Sequence, residues 1–156
     1  MSSLVNVGGP IMTVVGGPVW KQPIYYPFQY TSRYGRGVAL VTKVVCDGYR
    51  TRRHDFVPYI DAMAVWNEAE GEVVLFAVNR SETEEATLDV DLECFGASAV
   101  IEHVVLTHEN PDAVNSPEHP DCVVPHADGI TKVDAEGVHA QLVPYSWNMI
   151  RLHVEM

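Results

Sequence analysis

Four histidines lie in one short acidic stretch of the chain, and such a cluster could in principle hold a metal ion. They are His103, His108, His119 and His126. Zinc sites usually draw their ligands from regular spacings, and a strand holds two ligands on one face only at even spacing. His103 and His108 are five positions apart, and the sequence contains no H-x-H, H-E-x-x-H or C-x-x-C. We therefore expect no metal site and no cofactor, with a metal-dependent jelly-roll enzyme of the cupin type as an alternative.

Carboxylates are the second group that could do chemistry, because glycoside cleavage uses two of them. They stand about 5 Å apart in retaining enzymes and about 6.5–9.5 Å apart in inverting ones. Half of the glutamates cluster around two predicted turns, Glu68, Glu70 and Glu72 at the first and Glu82, Glu84 and Glu85 at the second. Charged side chains at turns are normally solvated. With no G-x-S-x-G, P-loop or G-x-G-x-x-G either, the residues alone predict no catalytic group.

The three cysteines, Cys46, Cys94 and Cys122, are widely spaced and odd in number. This pattern argues against a disulfide framework and against a thiolate zinc site. We expect three reduced thiols, partly buried, that behave as small hydrophobic side chains.

Charge and length exclude several classes of partner. The chain has 156 residues, with 10 Lys+Arg against 21 Asp+Glu and a formal net charge of -11. Such a field repels nucleic acid and anionic lipid surfaces. No apolar run approaches the roughly 20 residues of a bilayer span, and the N-terminal residues lack the features of a signal peptide. The chain as given is expected to be intracellular and to form one globular domain with, at most, a short appended segment.

The elements that must position these groups fall into two regions that differ in sequence pattern. Residues 1–37 are rich in Gly and Pro, and Pro27 and Gly35 bound a predicted helix of about two turns with an aromatic face of Phe28, Thr31 and Tyr34. From residue 37 the hydrophobic period is that of strands. The predicted strands are Val38–Val45, Ile60–Trp66, Glu72–Arg80, Ala86–Leu92, Ala99–Thr107, Val138–Val143 and Trp147–Val154. Seven or eight short strands without a long helix predict an all-β sandwich with jelly-roll or Greek-key connections.

A long connection separates Thr107 from Val138, and four prolines and several Asn and Asp residues interrupt it. Loops of this length in a compact domain are often functional or lie over another surface. This segment is therefore the first place to look for contacts made outside the sandwich.

Long ordered strings along the chain resemble the family-51 α-L-arabinofuranosidases. The N-terminal strings are NVGGPIMT at 6–13, GGPVWKQPIYYPF at 16–28 and SRYGRG at 32–37; the later ones are DFVPYID at 55–61, FAVNR at 76–80, EH at 102–103, VVPH at 123–126 and SWNMIRL at 146–152. The resemblance spans nearly the whole chain, so it is much more specific than a single short motif.

The resemblance implies a fold and a place in a larger enzyme. In that family a (β/α)8 barrel carries catalysis and a C-terminal jelly-roll sandwich packs against it. Residues 1–36 then resemble the last strand and helix of the barrel, and residues 37–156 resemble the sandwich. The general acid/base and nucleophile glutamates of the family lie on earlier barrel strands, so this chain alone is expected to be catalytically inactive.

One residue of the family's substrate site falls within this chain. Gln22 occupies the place of the Gln in the family's W-[RK]-Q string, which hydrogen-bonds the arabinose in the glycone pocket. Barrel active sites lie at the C-terminal ends of strands, which suits this position. The alternative is that Gln22 only satisfies local backbone groups. The neighbouring Trp20 is expected to serve in packing.

By resemblance, the parent is a retaining exo-glycosidase that releases terminal α-L-arabinofuranosyl units from arabinan or arabinoxylan oligosaccharides, in the cytoplasm and as a homo-oligomer. Without the barrel, residues 1–36 should expose apolar surface and either self-associate or be disordered. The family's N-terminus also adds a strand to the sandwich, so a sheet edge should be open. The alternative function is a free-standing carbohydrate-binding module with Trp20, Trp66, Tyr49 or Tyr59 stacking on sugars, although alternation places Trp66 toward the core.

Overall fold

A computed structural model describes residues 3–92 and 95–155, so Cys94 lies outside the described residues. The strands are β1 (Ile11–Thr13), β2 (Val19–Lys21), β3 (Val38–Leu40), β4 (Gly48–Tyr49), β5 (Val57–Pro58), β6 (Ile60–Asn67), β7 (Glu72–Asn79), β8 (Ala86–Val90), β9 (Gly96–Leu106), β10 (Thr131–Asp134), β11 (Gly137–Leu142) and β12 (Ser146–Glu155). The helix α1 is Tyr25–Tyr34. In this part of the chain no helix is both long enough and apolar enough to cross a membrane.

Two antiparallel sheets form the body of the protein. The first has the order β3-β6-β7-β12-β9 and the second the order β10-β11-β8, while β1-β2 and β4-β5 are separate two-stranded pairs. The chain passes from one sheet to the other between β7 and β8, β8 and β9, β9 and β10, and β11 and β12. The predicted all-β sandwich of about eight strands is therefore confirmed, with five strands in one sheet and three in the other within residues 3–92 and 95–155.

The main core lies between the two sheets and consists of aliphatic side chains. Leu75 on β7 stands beside Ala64 on β6 and Ile150 on β12, and all three are buried. From the opposite sheet, Val138 and Leu142 of β11 close the core without any exposed surface. A buried aliphatic side chain contributes about 1.5–3 kcal/mol relative to an exposed one. Period-two alternation in the sequence thus produces the inner layer directly.

The outer face of the five-stranded sheet is also covered, in this case by α1. Tyr26, Tyr30 and Tyr34 are spaced by four residues, so they lie on one side of the helix. The Tyr30 ring packs 6.0 Å from the ring of Trp147 on β12, and the buried Phe76 belongs to the same cluster. The helix thus closes a second apolar layer on the back of the sheet.

The predicted face of α1 is wrong for Phe28 and Thr31, which are exposed, whereas Tyr34 packs against the sheet as predicted. The helix begins at Tyr25, before Pro27, and contains ten residues. In this register Phe28 points away from the sheet and is 46% exposed, whereas Tyr26 is 7% exposed. The predicted helix end at Gly35 is confirmed, since the Gly35 N–H bonds the Thr31 carbonyl at 2.8 Å.

The predicted strand Val38–Val45 is also wrong in extent. Only Val38–Leu40 pairs, antiparallel to Ala64–Trp66 of β6, and Val41 and Val45 are exposed. Because these two side chains do not reach the sandwich core, the continuous apolar run does not predict the extent of the strand. The junction before this strand requires glycine, because Gly37 has φ +136° and a Cβ there would overlap the Trp66 carbonyl.

The long connection contains a short strand that the sequence pattern did not predict. This strand, β10, pairs antiparallel with β11 in the register Thr131↔Ala140, and a short turn between Asp134 and Gly137 joins the two strands. Earlier in the connection His126 forms a bridge to Val105 of β9, and Val123 is buried. The connection therefore lies against the end of the sandwich and is anchored there.

Candidate functional site

The end of β2 is joined to the long connection through one buried side chain, Asn115. Its amide nitrogen donates to the carbonyls of Lys21 at 2.9 Å and Val123 at 3.0 Å, and its Oδ1 accepts the Val123 N–H at 2.7 Å. Asn115 is 2% exposed. Sequence reasoning missed this residue, because an Asn in a proline-rich loop has no pattern that predicts burial.

The structure places Gln22 and Trp20 at this same junction. The Gln22 Nε2 and the Trp20 indole N–H each donate to the Asn115 carbonyl at 3.0 Å. Both side chains are half-buried. The side-chain nitrogen of Gln22 thus satisfies a backbone oxygen and fixes the direction of the amide.

A cleft of about 870 Å³ opens beside this junction, at the end of the sandwich. The end of β7, the end of β9 and the start of β12 form its floor, and Pro23, which directly follows Gln22, forms part of its wall. Its side chains are of mixed type, with Tyr49, Tyr59 and Tyr145 beside polar groups.

Among the described residues, pairs of carboxylates meet around a shared basic side chain at two places outside the cleft. Arg151 on β12 bonds Glu72 at 2.7 Å and lies 3.5 Å from Glu102, on the outer face beneath α1. His139 on β11 lies 2.7 Å from Asp89 and 3.3 Å from Asp134. Because a basic side chain hydrogen-bonds or pairs with both carboxylates in each case, neither group has the open acid and base of a glycosidase.

Two glutamates do line the cleft, Glu82 and Glu84. Both are exposed, and they lie in the predicted turn between β7 and β8. The turn is organised by its backbone, since the Glu84 N–H donates to the Ser81 hydroxyl at 2.9 Å.

Of the four clustered histidines, the structure buries one. His103 on β9 donates from Nε2 to the Asn148 Oδ1 at 3.1 Å, and its Nδ1 accepts the Thr131 hydroxyl at 2.8 Å. The Asn148 Nδ2 in turn donates to the Ser146 hydroxyl at 2.8 Å. Burial lowers the pKa of His103, although the hydrogen bond to Asn148 acts in the opposite direction. His103 is thus a neutral link between the two sheets.

The other three histidines lie at the surface and are not brought together. His108 accepts the Asn110 N–H at 3.0 Å through Nδ1, and its Nε2 is 3.9 Å from the Cys122 sulfur. His119 and His126 are exposed. Within residues 3–92 and 95–155, no three His, Cys, Asp or Glu side chains are grouped so that they could hold a metal ion.

The two remaining cysteines in the described ranges are free thiols, as expected. Cys46 is half-buried with its sulfur 3.5 Å from the Ile60 carbonyl, and Cys122 is exposed.

The aromatic side chains proposed for sugar stacking do not form a flat exposed platform. Trp66 packs against the main core with its ring 4.9 Å from Phe95, so its predicted inward direction is confirmed. Tyr49 and Tyr59 are half-buried and their rings are tilted by 39°.

A family model of the alpha-L-arabinofuranosidase C-terminal domain matches residues 1–146 of this chain. An intracellular exo-alpha-(1->5)-L-arabinofuranosidase from Halalkalibacterium halodurans is 44% identical over 152 residues, which cover 97% of this chain and 30% of the relative. An exo-alpha-(1->6)-L-arabinofuranosidase from Bifidobacterium longum is 35% identical over 156 residues. The chain thus spans about 30% of the length of the curated relatives it matches.

Solved structures give the same extent of similarity. AbfB, a family 51 alpha-L-arabinofuranosidase from Bifidobacterium longum, superposes with a TM-score of 0.89 at 31% identity, over 97% of this chain and 30% of that one. The GH51 arabinofuranosidase from Xanthomonas axonopodis pv. citri superposes with a TM-score of 0.86 at 26% identity, over the same shares.

Proposed function

The chain belongs to the family of alpha-L-arabinofuranosidase C-terminal domains, and from this premise we propose that it braces the catalytic barrel of a family-51 α-L-arabinofuranosidase. The observation that carries the proposal is extent: 97% of the chain matches about 30% of each relative. On its own the chain is an accessory domain without the catalytic pair of glutamates.

The parent enzyme, in this proposal, is a retaining exo-glycosidase. It releases terminal α-L-arabinofuranosyl units from arabinan or arabinoxylan oligosaccharides through a covalent glycosyl-enzyme intermediate. The names of relatives that act at 1->5 and 1->6 linkages support the class of sugar. Several of these relatives are named intracellular, which supports a cytoplasmic location.

Within that enzyme, residues 1–36 supply the last strand and helix of the barrel, and residues 37–156 the sandwich. Exposed apolar side chains on the outer surface of the N-terminal segment support this division, because a neighbouring barrel element would cover them. They are Leu4, Val7, Val15, Ile24 and Phe28. The exposed Val41 and Val45 beyond β3 suit further contacts with the barrel or with another copy in a homo-oligomer.

Gln22 contacts the arabinose in the glycone pocket of the assembled enzyme. Its Nε2 is held by the Asn115 carbonyl at 3.0 Å. A primary amide has two donors and one acceptor, so the second N–H and Oε1 can serve a sugar hydroxyl while this bond persists. The long connection thereby fixes the direction of a substrate-binding side chain.

A chimera tests the proposed function. The C-terminal part of the Halalkalibacterium halodurans relative is replaced by this chain, and hydrolysis of α-(1→5)-linked arabino-oligosaccharides is measured. We expect a folded, active chimera, and a Gln22→Ala version whose kcat/KM is lower by about tenfold or more, the loss expected when a buried polar partner on the sugar is left unpaired.

Gln29→Ala is the matched control for the chimera, because Gln29 is exposed on α1 and lies outside the junction. It should leave turnover unchanged. A folded chimera without activity would contradict the bracing role, and a fully active Gln22→Ala chimera would contradict the role of Gln22.

A further inference from the structure

The cleft at the end of the sandwich contains tyrosines that neither the core nor α1 requires. Tyr49 lies on β4 and Tyr59 follows β5, with ring centroids 5.2 Å apart. Among the described residues, neither hydroxyl group forms a hydrogen bond to another side chain or to the backbone. Two half-buried rings therefore face the cleft with polar ends that remain available to a ligand.

Tyr145 faces the same cleft from a strained backbone. Its φ is +47°, a region that residues with a side chain rarely adopt, and its N–H donates to the Ser81 carbonyl at 3.0 Å. The residue is 40% exposed and lines the cleft together with Glu82. Strain of this kind costs about 1–3 kcal/mol and is retained mainly at ligand-binding and active sites. Glycine at this position would remove the strain, so the tyrosine ring itself needs a reason.

Polar side chains on the rim are held in fixed directions. Arg80 donates from Nη1 to the Pro58 carbonyl at 3.1 Å and from Nη2 to Asp61 at 2.9 Å. Thr107, which also lines the cleft, donates to the Pro144 carbonyl at 3.2 Å. A concave site with apolar rings and a few preorganised polar groups is typical of small-molecule binding. A sugar fits this lining because it offers C–H faces to rings and hydroxyls to polar groups.

We propose that this cleft is a second sugar-binding site, which takes an arabinose-containing oligosaccharide with Tyr49, Tyr59 and Tyr145 in contact with its rings. Pro23 in the wall directly follows Gln22, so the chain next to Gln22, the residue that contacts the terminal arabinose in the proposed function, borders the cleft. The site would hold the part of the oligosaccharide beyond the terminal unit. The identity of the sugar rests on the proposed function, whereas the existence of the site rests on the cleft.

Titration of the 156-residue chain with α-(1→5)-linked arabinopentaose, followed by NMR, tests the proposal. We expect millimolar binding with shifts confined to the cleft, weakened about fivefold or more by Tyr145→Gly and by Tyr49→Ala. Tyr145→Gly should preserve the fold, since glycine accepts the positive φ. Phe28→Ala removes an exposed ring outside the cleft and should leave binding unchanged.

Three results would overturn the proposal: no shifts at millimolar pentaose, equal binding of cellopentaose, or binding that both tyrosine variants leave intact. The chimera supplies an independent arm. There Tyr145→Gly should raise KM for arabinopentaose with kcat unchanged, and should not affect 4-nitrophenyl α-L-arabinofuranoside, which is too short to reach the cleft. An active chimera whose KM for the pentaose does not change would reject the cleft and leave the bracing role intact; pentaose binding by the chain alongside an inactive chimera would reject the bracing role only.

Discussion

The two faces of the five-stranded sheet are both buried, but by different parts of the chain and different chemistry. The inner face packs on the second sheet through aliphatic side chains such as Leu152, without any exposed surface. The outer face packs on α1 through tyrosines, Trp147 and the Arg151 ion cluster. The inner layer uses only residues after position 37, whereas the outer layer needs the segment that resembles the barrel. The change of sequence pattern near residue 37 therefore does not separate two independently packed regions.

The largest effect should come from the inner layer. Leu152→Ala removes a fully buried side chain from between the sheets and should lower the free energy of unfolding by about 2–5 kcal/mol. Urea denaturation should show one cooperative transition at a lower midpoint. Exposed Ile101→Ala is the matched control on β9. A loss below about 1 kcal/mol would mean that the inner layer is not the main source of stability.

The junction at Asn115 should show an intermediate and local effect. Asn115→Ala leaves the carbonyls of Lys21 and Val123 and the Val123 N–H without their partner, which costs about 1–3 kcal/mol. We expect residues 1–24 to be cleaved faster by protease while the sandwich remains folded. Asn110→Ala, at an exposed turn, provides the comparison. Equal protease sensitivity of the two variants would show that Asn115 does not anchor the N-terminal segment.

The outer layer should be more tolerant. Arg151→Lys removes the two-pronged contact with Glu72 and the guanidinium 4.6 Å above the Tyr34 ring, with an expected cost of about 1 kcal/mol. Faster amide exchange in α1 than in β12 would place the loss at the helix contact. Arg80→Lys, at the more exposed pair with Asp61, should cost less. The reverse order of the two variants would contradict the importance of the layer beneath α1.

The smallest effect concerns pH, and two histidines act in opposite directions. Burial lowers the pKa of His103. Its contribution to the free energy of unfolding is therefore complete above the usual histidine pKa of about 6.5 and is lost as pH falls. The hydrogen bond to Asp89 raises the pKa of His139. The contribution of His139 to the free energy of unfolding is therefore complete below the usual histidine pKa and is lost as pH rises.

Urea midpoints between pH 5 and 8 separate these two groups. His103→Gln should flatten the fall in stability toward low pH, and His139→Gln should steepen it. Identical pH profiles for the two variants would show that neither histidine titrates differently on folding.

Local patterns predicted the inner layer well because strand alternation records directly which side chains face a core. The even positions of Ala86–Leu92 and the run from Ile60 to Trp66 are examples. The outer layer was harder to predict, since Tyr26, Tyr30 and Tyr34 have meaning only once a sheet is available to receive them. Their four-residue spacing was a usable signal, but Phe28 was an equally aromatic competitor.

The candidate site depended still more on long-range contacts. Asn115, in the long connection, lies 93 positions after Gln22 in the sequence, and the two residues are joined by a hydrogen bond. The cleft gathers side chains from β4, β7, β9 and β12. Only resemblance to a family pointed to Gln22, and nothing in the sequence pattern pointed to Asn115 or Tyr145.

The most direct test of the accessory role is turnover of 4-nitrophenyl α-L-arabinofuranoside by the purified 156-residue chain. We predict no hydrolysis above buffer, because the described carboxylates that meet do so around Arg151 or His139 and those in the cleft are solvated turn residues. Turnover that survives stringent purification and disappears on Glu82→Gln or Glu84→Gln would contradict the account and would make the cleft an active site.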